Sequence, residues 1–159
     1  MRFMVIVKAD QRTEAGILPG QALLEQMGKY NEELAKAGVL LAGEGLQASS
    51  KGAKVRFEGS RRTVTDGPFT ETKELIAGFW ILQAGSLAEA IEWVKKAPMP
   101  EGELEIRQVF ELEDFGEAVT PQIRERRAPP AAGRAVPVTV SPLVHLSADR
   151  RLREEAVRI

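Results

Sequence analysis

The sequence predicts one α+β domain followed by a shorter extension of different composition. Three observations predict it. Segments 2–8 (RFMVIVK) and 75–83 (LIAGFWILQ) are apolar on both alternating faces, as buried strands are. Two stretches with apolar residues at helical spacing separate strand-like segments. The order along the chain is β-α-β, a hairpin, then β-α-β.

Each element has its own local reason. In segment 2–8, Phe3, Val5 and Val7 alternate with Met4 and Ile6. A charged, glycine-containing loop follows. Pro19 suits the opening of a helix, where its missing N–H is of little consequence. Leu23, Met27, Tyr30 and Leu34 then form a stripe that Leu24 and Ala35 widen, and Gly38 stops the helix. Segment 39–47 (VLLAGEGLQ) reads as a strand interrupted by Gly43 and Gly45, the mark of a bulge or a close backbone approach. Segments 53–57 and 62–65 flank Gly59 and Ser60 and predict a β-hairpin, ended by Asp66-Gly67-Pro68-Phe69. Ser86 and Glu89 form a capping box before Leu87, Ala90, Ile91 and Val94, with Lys95 and Lys96 at the negative end of the helix and Pro98 as its stop. Segment 104–112 is the last strand of the domain.

Without the hairpin this is the ferredoxin-like βαββαβ pattern, an antiparallel sheet with both helices on one face. Two helices cover one face only, yet two strands are apolar on both. A second copy of the sheet is the most economical cover, which predicts a homodimer. The chain's own C-terminal segment is the competing cover.

Composition sets boundaries on chemistry. The 159 residues contain no cysteine and one histidine, His145. Cys-based metal sites, thiol nucleophiles and multi-His metal sites within one chain are thereby excluded, and no metal or organic cofactor is expected. No phosphate-binding glycine loop of P-loop or Rossmann type occurs, nor a nucleophile elbow. The chain lacks an apolar run of 18 residues, and its N-terminal apolar stretch is too short for a signal peptide, so a cytoplasmic protein without membrane association is expected. Residues 1–114 carry 14 Lys and Arg against 18 Asp and Glu, whereas 115–159 carry eight Arg against five acids. Five of the nine prolines and none of the lysines lie in the second part. This shift places a boundary near residue 115, with domain 1–114 and extension 115–159. Within the extension, Val136-Pro137-Val138-Thr139-Val140 reads as a short edge strand and Ser147 as the cap of a last helix. Its mixed charge and lack of aromatics beyond Phe115 give no support for nucleic-acid binding.

The segment TDGPFTETKELIAGFWIL follows AGVLLAGEGLQ and precedes the capped helix and EIRQV. Together these resemble the YCII-related family in its DGPF subgroup, over roughly residues 1–112. The resemblance implies a ferredoxin-like subunit that pairs into a dimeric α+β barrel. Most subgroup members have no assigned reaction, and some lie in genomes beside extracytoplasmic-function sigma factors. A few members of the wider family are small enzymes on aromatic or lactone-like substrates, with a His–Asp pair proposed as acid and base. Many subgroup members have a histidine shortly before the last strand. This chain has Pro98-Met99-Pro100-Glu101-Gly102-Glu103 there, so the dyad does not carry over.

The candidate site residues have two readings each. Asp66 is either a carboxylate at a barrel mouth, acting as general base or ligand contact, or a turn residue accepting backbone N–H groups beside a Gly67 of positive φ. Glu44, between two glycines, is an alternative base or a solvated residue on a bulged strand. Glu71, Lys73 and Glu74 form either a polar substrate contact or a solvated face. Tyr30, Arg56, Phe69 and Trp80 are the candidate ligand contacts. Tyr30 is otherwise a core residue with its hydroxyl at the rim, Arg56 an exposed hairpin residue, and Trp80 dimer core. His145 acts in catalysis only if the extension folds back to within reach of Asp66 or Glu44.

Three functions follow. The first is a dimeric small-ligand-binding or accessory protein without catalysis. The second is a cofactor-free isomerase or lyase on a small aromatic or lactone, with Asp66 or Glu44 as base. The third is a regulatory module that docks a sigma factor, implied by the family resemblance alone.

Overall fold

The structure, a computed structural model, describes residues 1–70 and 74–127. β1 (Arg2–Lys8) places Phe3 and Val5 fully inside, while Met4 and Ile6 on the other face stay half-buried. The loop after β1 folds into one short helix, α1 (Gln11–Glu14). Asp10 caps it by accepting from the Thr13 amide at 2.8 Å, and the Thr13 hydroxyl accepts from the Asp10 amide at 2.8 Å. The sequence predicts a plain loop there, because four residues carry no periodicity.

α2 (Gln21–Lys36) begins two residues after Pro19, with Gly20 at its N-cap. It ends at Gly38, whose φ of 70° fits the left-handed stop that glycine supplies. β2 (Leu40–Gly45) follows, then a single 3₁₀ turn over Ser49–Lys51. β3 (Ala53–Glu58) and β4 (Arg61–Asp66) make the hairpin, β5 (Ile76–Gln83) returns to the sheet, and α3 (Leu87–Val94) is capped by Ser86, which accepts from the Glu89 amide at 3.1 Å. β6 (Leu104–Gln108) is shorter than the predicted 104–112. After Val109, whose amide still donates to the Arg2 carbonyl at 2.9 Å, the chain turns into a 3₁₀ segment, Leu112–Ala118, and a further helix, α4 (Pro121–Arg127).

The main sheet has the order β2-β5-β1-β6, antiparallel throughout, which is the ferredoxin-like arrangement with β3 and β4 as a separate two-stranded sheet. Register fixes what lies on each face. The rows Leu40–Leu82–Phe3–Gln108 and Gly43–Trp80–Val5–Ile106 face the helices. There Tyr30 and Leu34 of α2 close the core over Val5, Trp80, Leu82 and Leu40, with Met27, Trp93 and Val94 at its edge. Phe3, Ala84 and Ala90 form a smaller cluster under α3. Fully burying a side chain such as Phe3, Val5, Leu34 or Leu82 stabilises by about 1.5–3 kcal/mol.

The opposite face carries the rows Ala42–Ile81–Met4–Arg107 and Glu44–Phe79–Ile6–Glu105. Its apolar centre (Met4, Ile6, Phe79 and Ile81) is half-buried, and both core helices lie on the other side. The expected two-faced strands are therefore present. The expected second cover, a partner sheet or the chain beyond residue 127, falls outside the described residues, as do the expected strand at 136–140, the expected helix after Ser147, His145, Glu71 and Lys73.

Candidate functional site

The DGPF tetrapeptide forms the root of the hairpin. Asp66 is the last residue of β4, opposite Ala53, and is exposed. Among the described residues its carboxylate has no hydrogen-bond or ion-pair partner. The Gly67 amide donates to the Gly52 carbonyl at 2.9 Å, and the Gly67–Pro68 peptide is cis. Gly67 does not adopt the positive φ expected of it. Glycine is required for a different reason: a Cβ at this position would lie 1.7 Å from the Ser49 carbonyl oxygen, inside its van der Waals shell.

Ser49 ties this corner to the rest of the chain. Its hydroxyl donates to the Glu14 carboxylate and accepts from the Phe69 amide at 3.2 Å. Its own amide also donates to Glu14, at 3.2 Å. Ser49 is buried, so these bonds satisfy a polar group with little access to water. Phe69 is half-buried, packs against Gly52, and carries the Lys54 ammonium 4.4 Å above its ring. Arg56 points to the other face of the hairpin, exposed, 3.8 Å from Glu58. Asp66, Phe69 and Arg56 thus belong to the hairpin and its root.

Tyr30 and Trp80 lie on the helix side of the sheet, inside the core. Their rings meet edge to face with centroids 6.0 Å apart. The Trp80 indole N–H donates to the Asn31 side-chain oxygen Oδ1 at 2.9 Å, and the Tyr30 hydroxyl donates to the Trp93 backbone carbonyl at 3.2 Å. Burial pushes the Tyr30 hydroxyl up to about 12, so it stays protonated at neutral pH. The glycine pattern of β2 is explained by the same packing. The indole lies against Gly43, where a Cβ would sit 2.7 Å from Trp80 Cδ1. A Cβ at Gly78 would sit 2.7 Å from the Glu44 carbonyl oxygen.

The open sheet face gathers a different set. Glu44 is half-buried beside Phe79, and its carboxylate has no hydrogen-bond or ion-pair partner among the described residues. Across the apolar centre, Lys8 donates to Glu105 and to Glu74, both at 2.6 Å. The hydrogen bonds that Lys8 donates to Glu105 and Glu74 raise its ammonium above its ordinary value, and the one to Glu105 lowers that carboxyl. The face therefore has a phenyl-lined centre, a carboxylate at one side and a compensated cation at the other. Among the described residues no group of three His, Asp or Glu side chains is arranged to hold a metal ion, and no helix is long and apolar enough to cross a membrane.

Sequence reasoning did not single out Asn31, Glu14, Ser49 or Lys8. Asn31 carried a signal, since a polar residue sits four residues after Met27 in the apolar stripe. Glu14 and Ser49 are 35 residues apart and carried none.

Residues 1–113 match the YCII-related domain family. The chain is also similar to Uncharacterized protein R00369 of Rhizobium meliloti (strain 1021), 28% identical over 75 residues, which is 47% of this chain and 60% of the relative's length. The split βαβ sheet, its hairpin insertion and a family match over residues 1–113 agree, and the chain belongs to the YCII-related family.

Proposed function

We propose that this is a DGPF-type member of the family that works in the cytoplasm as a homodimer and binds a small organic ligand against the open face of its sheet, as a binding or accessory protein without catalysis of its own. The observation that carries this reading is the row Glu44–Phe79–Ile6–Glu105, a half-buried apolar strip between two carboxylates on the face opposite α2 and α3. Concave apolar surfaces with a few converging polar groups are what small-molecule sites require, and a second sheet facing this one would make the surface concave. Phe79 favours a flat ligand, and Glu44 one with a hydroxyl or cationic group.

The test has two parts. Sedimentation of the full chain should give twice the mass of 17.5 kDa. A thermal-shift screen of small aromatic and lactone compounds should find binders whose shift is lost in Glu44→Gln and Phe79→Ala. A monomer at micromolar concentration, or binders indifferent to both substitutions, would sink the reading. Glu44 also keeps a second reading in play, as the base of a cofactor-free isomerase or lyase, because a half-buried carboxylate beside a ring, with no partner among the described residues, is placed to meet a ligand's proton. Chemical change of a bound compound that stops in Glu44→Gln would select it. An exposed Asp66 is less suited to that work.

A further inference from the structure

The β3–β4 hairpin is an arm whose strands no other described element covers. All twelve of its strand residues are exposed, and a two-stranded ribbon alone in water is marginal at best. One face carries the pairs Val55–Val64 and Phe57–Arg62, with Val55, Val64 and Phe57 exposed by 50%, 64% and 69%. The Arg62 guanidinium lies 4.5 Å over the Phe57 ring. The arm is cationic: Lys54, Arg56, Arg61 and Arg62 outweigh Glu58 and Asp66.

A surface of the opposite character lies after β6. Phe110 and Phe115, exposed by 66% and 47%, pack with ring centroids 5.3 Å apart and planes tilted by 44°. Residues 110–118 contain Glu111, Glu113, Asp114 and Glu117 and no cation. Arg2 holds Glu111, Asp114 accepts from the Glu111 amide, and Arg124 stands 3.8 Å from Glu113. The segment keeps a net negative, aromatic outer face.

We propose that the arm of one copy docks on residues 110–118 of a second copy, and reciprocally, about a two-fold axis. Each chain carries both surfaces, so one symmetric pairing covers both and closes the assembly. Arm-to-arm pairing would set Arg61 and Arg62 against their own copies. The chain's segment 128–159 has five Arg against three acids, the same sign as the arm. The acidic aromatic segment is the complement in charge and in apolar character. This inference rests on the homodimer of the functional reading and adds to it a contact away from the sheet face.

The full-length chain serves for the test, by sedimentation equilibrium and native mass spectrometry. Arm variant Arg61→Glu with Arg62→Glu, and segment variant Glu113→Lys with Glu117→Lys, alter exposed side chains only. Each alone should dimerise about tenfold or more weakly than the wild type. Mixed, they should form a one-to-one heterodimer, because one wild-type contact returns and the other meets reversed charge on both sides. A misfolded variant cannot rescue its partner, so the mixture also controls for folding. If both variants dimerise as tightly as the wild type, or if the mixture gives no heterodimer, the docking proposal fails while the dimer stands. A monomeric wild type overturns both.

Discussion

At the residue scale, two positions show why a side chain is what it is. A Cβ at Gly67 collides with the backbone carbonyl of Ser49, which has no flexible end to move aside. Gly67→Ala should therefore displace the root of the hairpin and destabilise the chain by more than about 2 kcal/mol, the range reserved for backbone clashes and broken buried networks. A thermal melt reads this as a fall of roughly 4 °C or more for a chain of this size. Asn31 is the buried acceptor for the Trp80 indole. Asn31→Ala leaves that N–H without a partner and should cost about 1–3 kcal/mol by chemical denaturation. Tyr30 is the one tyrosine of the chain, so an alkaline absorbance titration reads it alone. Its folded value, raised to about 12 by burial, lies above the unfolded one. The corresponding stability is complete below about pH 10 and is lost as pH rises through about 12. Ionisation near pH 10 in the native protein would contradict its placement.

At the element scale, the hairpin is held at its base. Glu14 of α1 accepts from the amide and hydroxyl of Ser49, and Ser49 in turn accepts from Phe69. Removing the carboxylate leaves a buried serine without its acceptor. Glu14→Ala should therefore speed amide exchange across β3 and β4 while β1 and β5, at the centre of the main sheet, exchange as before. Uniform acceleration of all strands would show that the latch supports the whole fold instead. The separation of the two sheets makes this outcome specific, since β3 and β4 pair only with one another in the sheet topology.

At the scale of the whole molecule, carboxyls lowered in the folded state contribute to the acid limb of stability. Lys8 lowers the Glu105 carboxyl, first by hydrogen bonding and then by its charge, and the backbone bond from Thr13 lowers Asp10. A carboxyl lowered in the folded state stabilises above its unfolded value and loses that contribution as pH falls through its folded value. Stability should fall as pH drops below about 4, the ordinary carboxylate range. In Lys8→Met the slope of that fall should be shallower, as measured by urea unfolding at a series of acid pH values. An unchanged slope would mean the Lys8–Glu105 bond is absent in solution. Lys8 itself is raised, so its side of the pair is complete at neutral pH and is lost only in strong alkali.

The order of elements, the helix stripes and the capping serine were legible in the sequence because each depends on neighbours within about one turn or one strand. The hairpin was legible too, since its turn glycine and its alternating residues are local. So were the two apolar faces of β1 and β5, which register then sorted into a helix side and an open side. Tertiary structure decided the rest. It placed Trp80 in the core against Gly43 and Asn31, and Phe79 on the open face beside Glu44, because a strand's alternation names two faces but not which one the helices take. It turned Gly67 from a residue of unusual φ into one that makes room for Ser49, because close approach depends on a carbonyl 18 residues away in the chain. It ended β6 at Gln108 and curled the next residues into an acidic aromatic surface, because a strand stops where its partner's hydrogen bonds stop, and no local pattern records that.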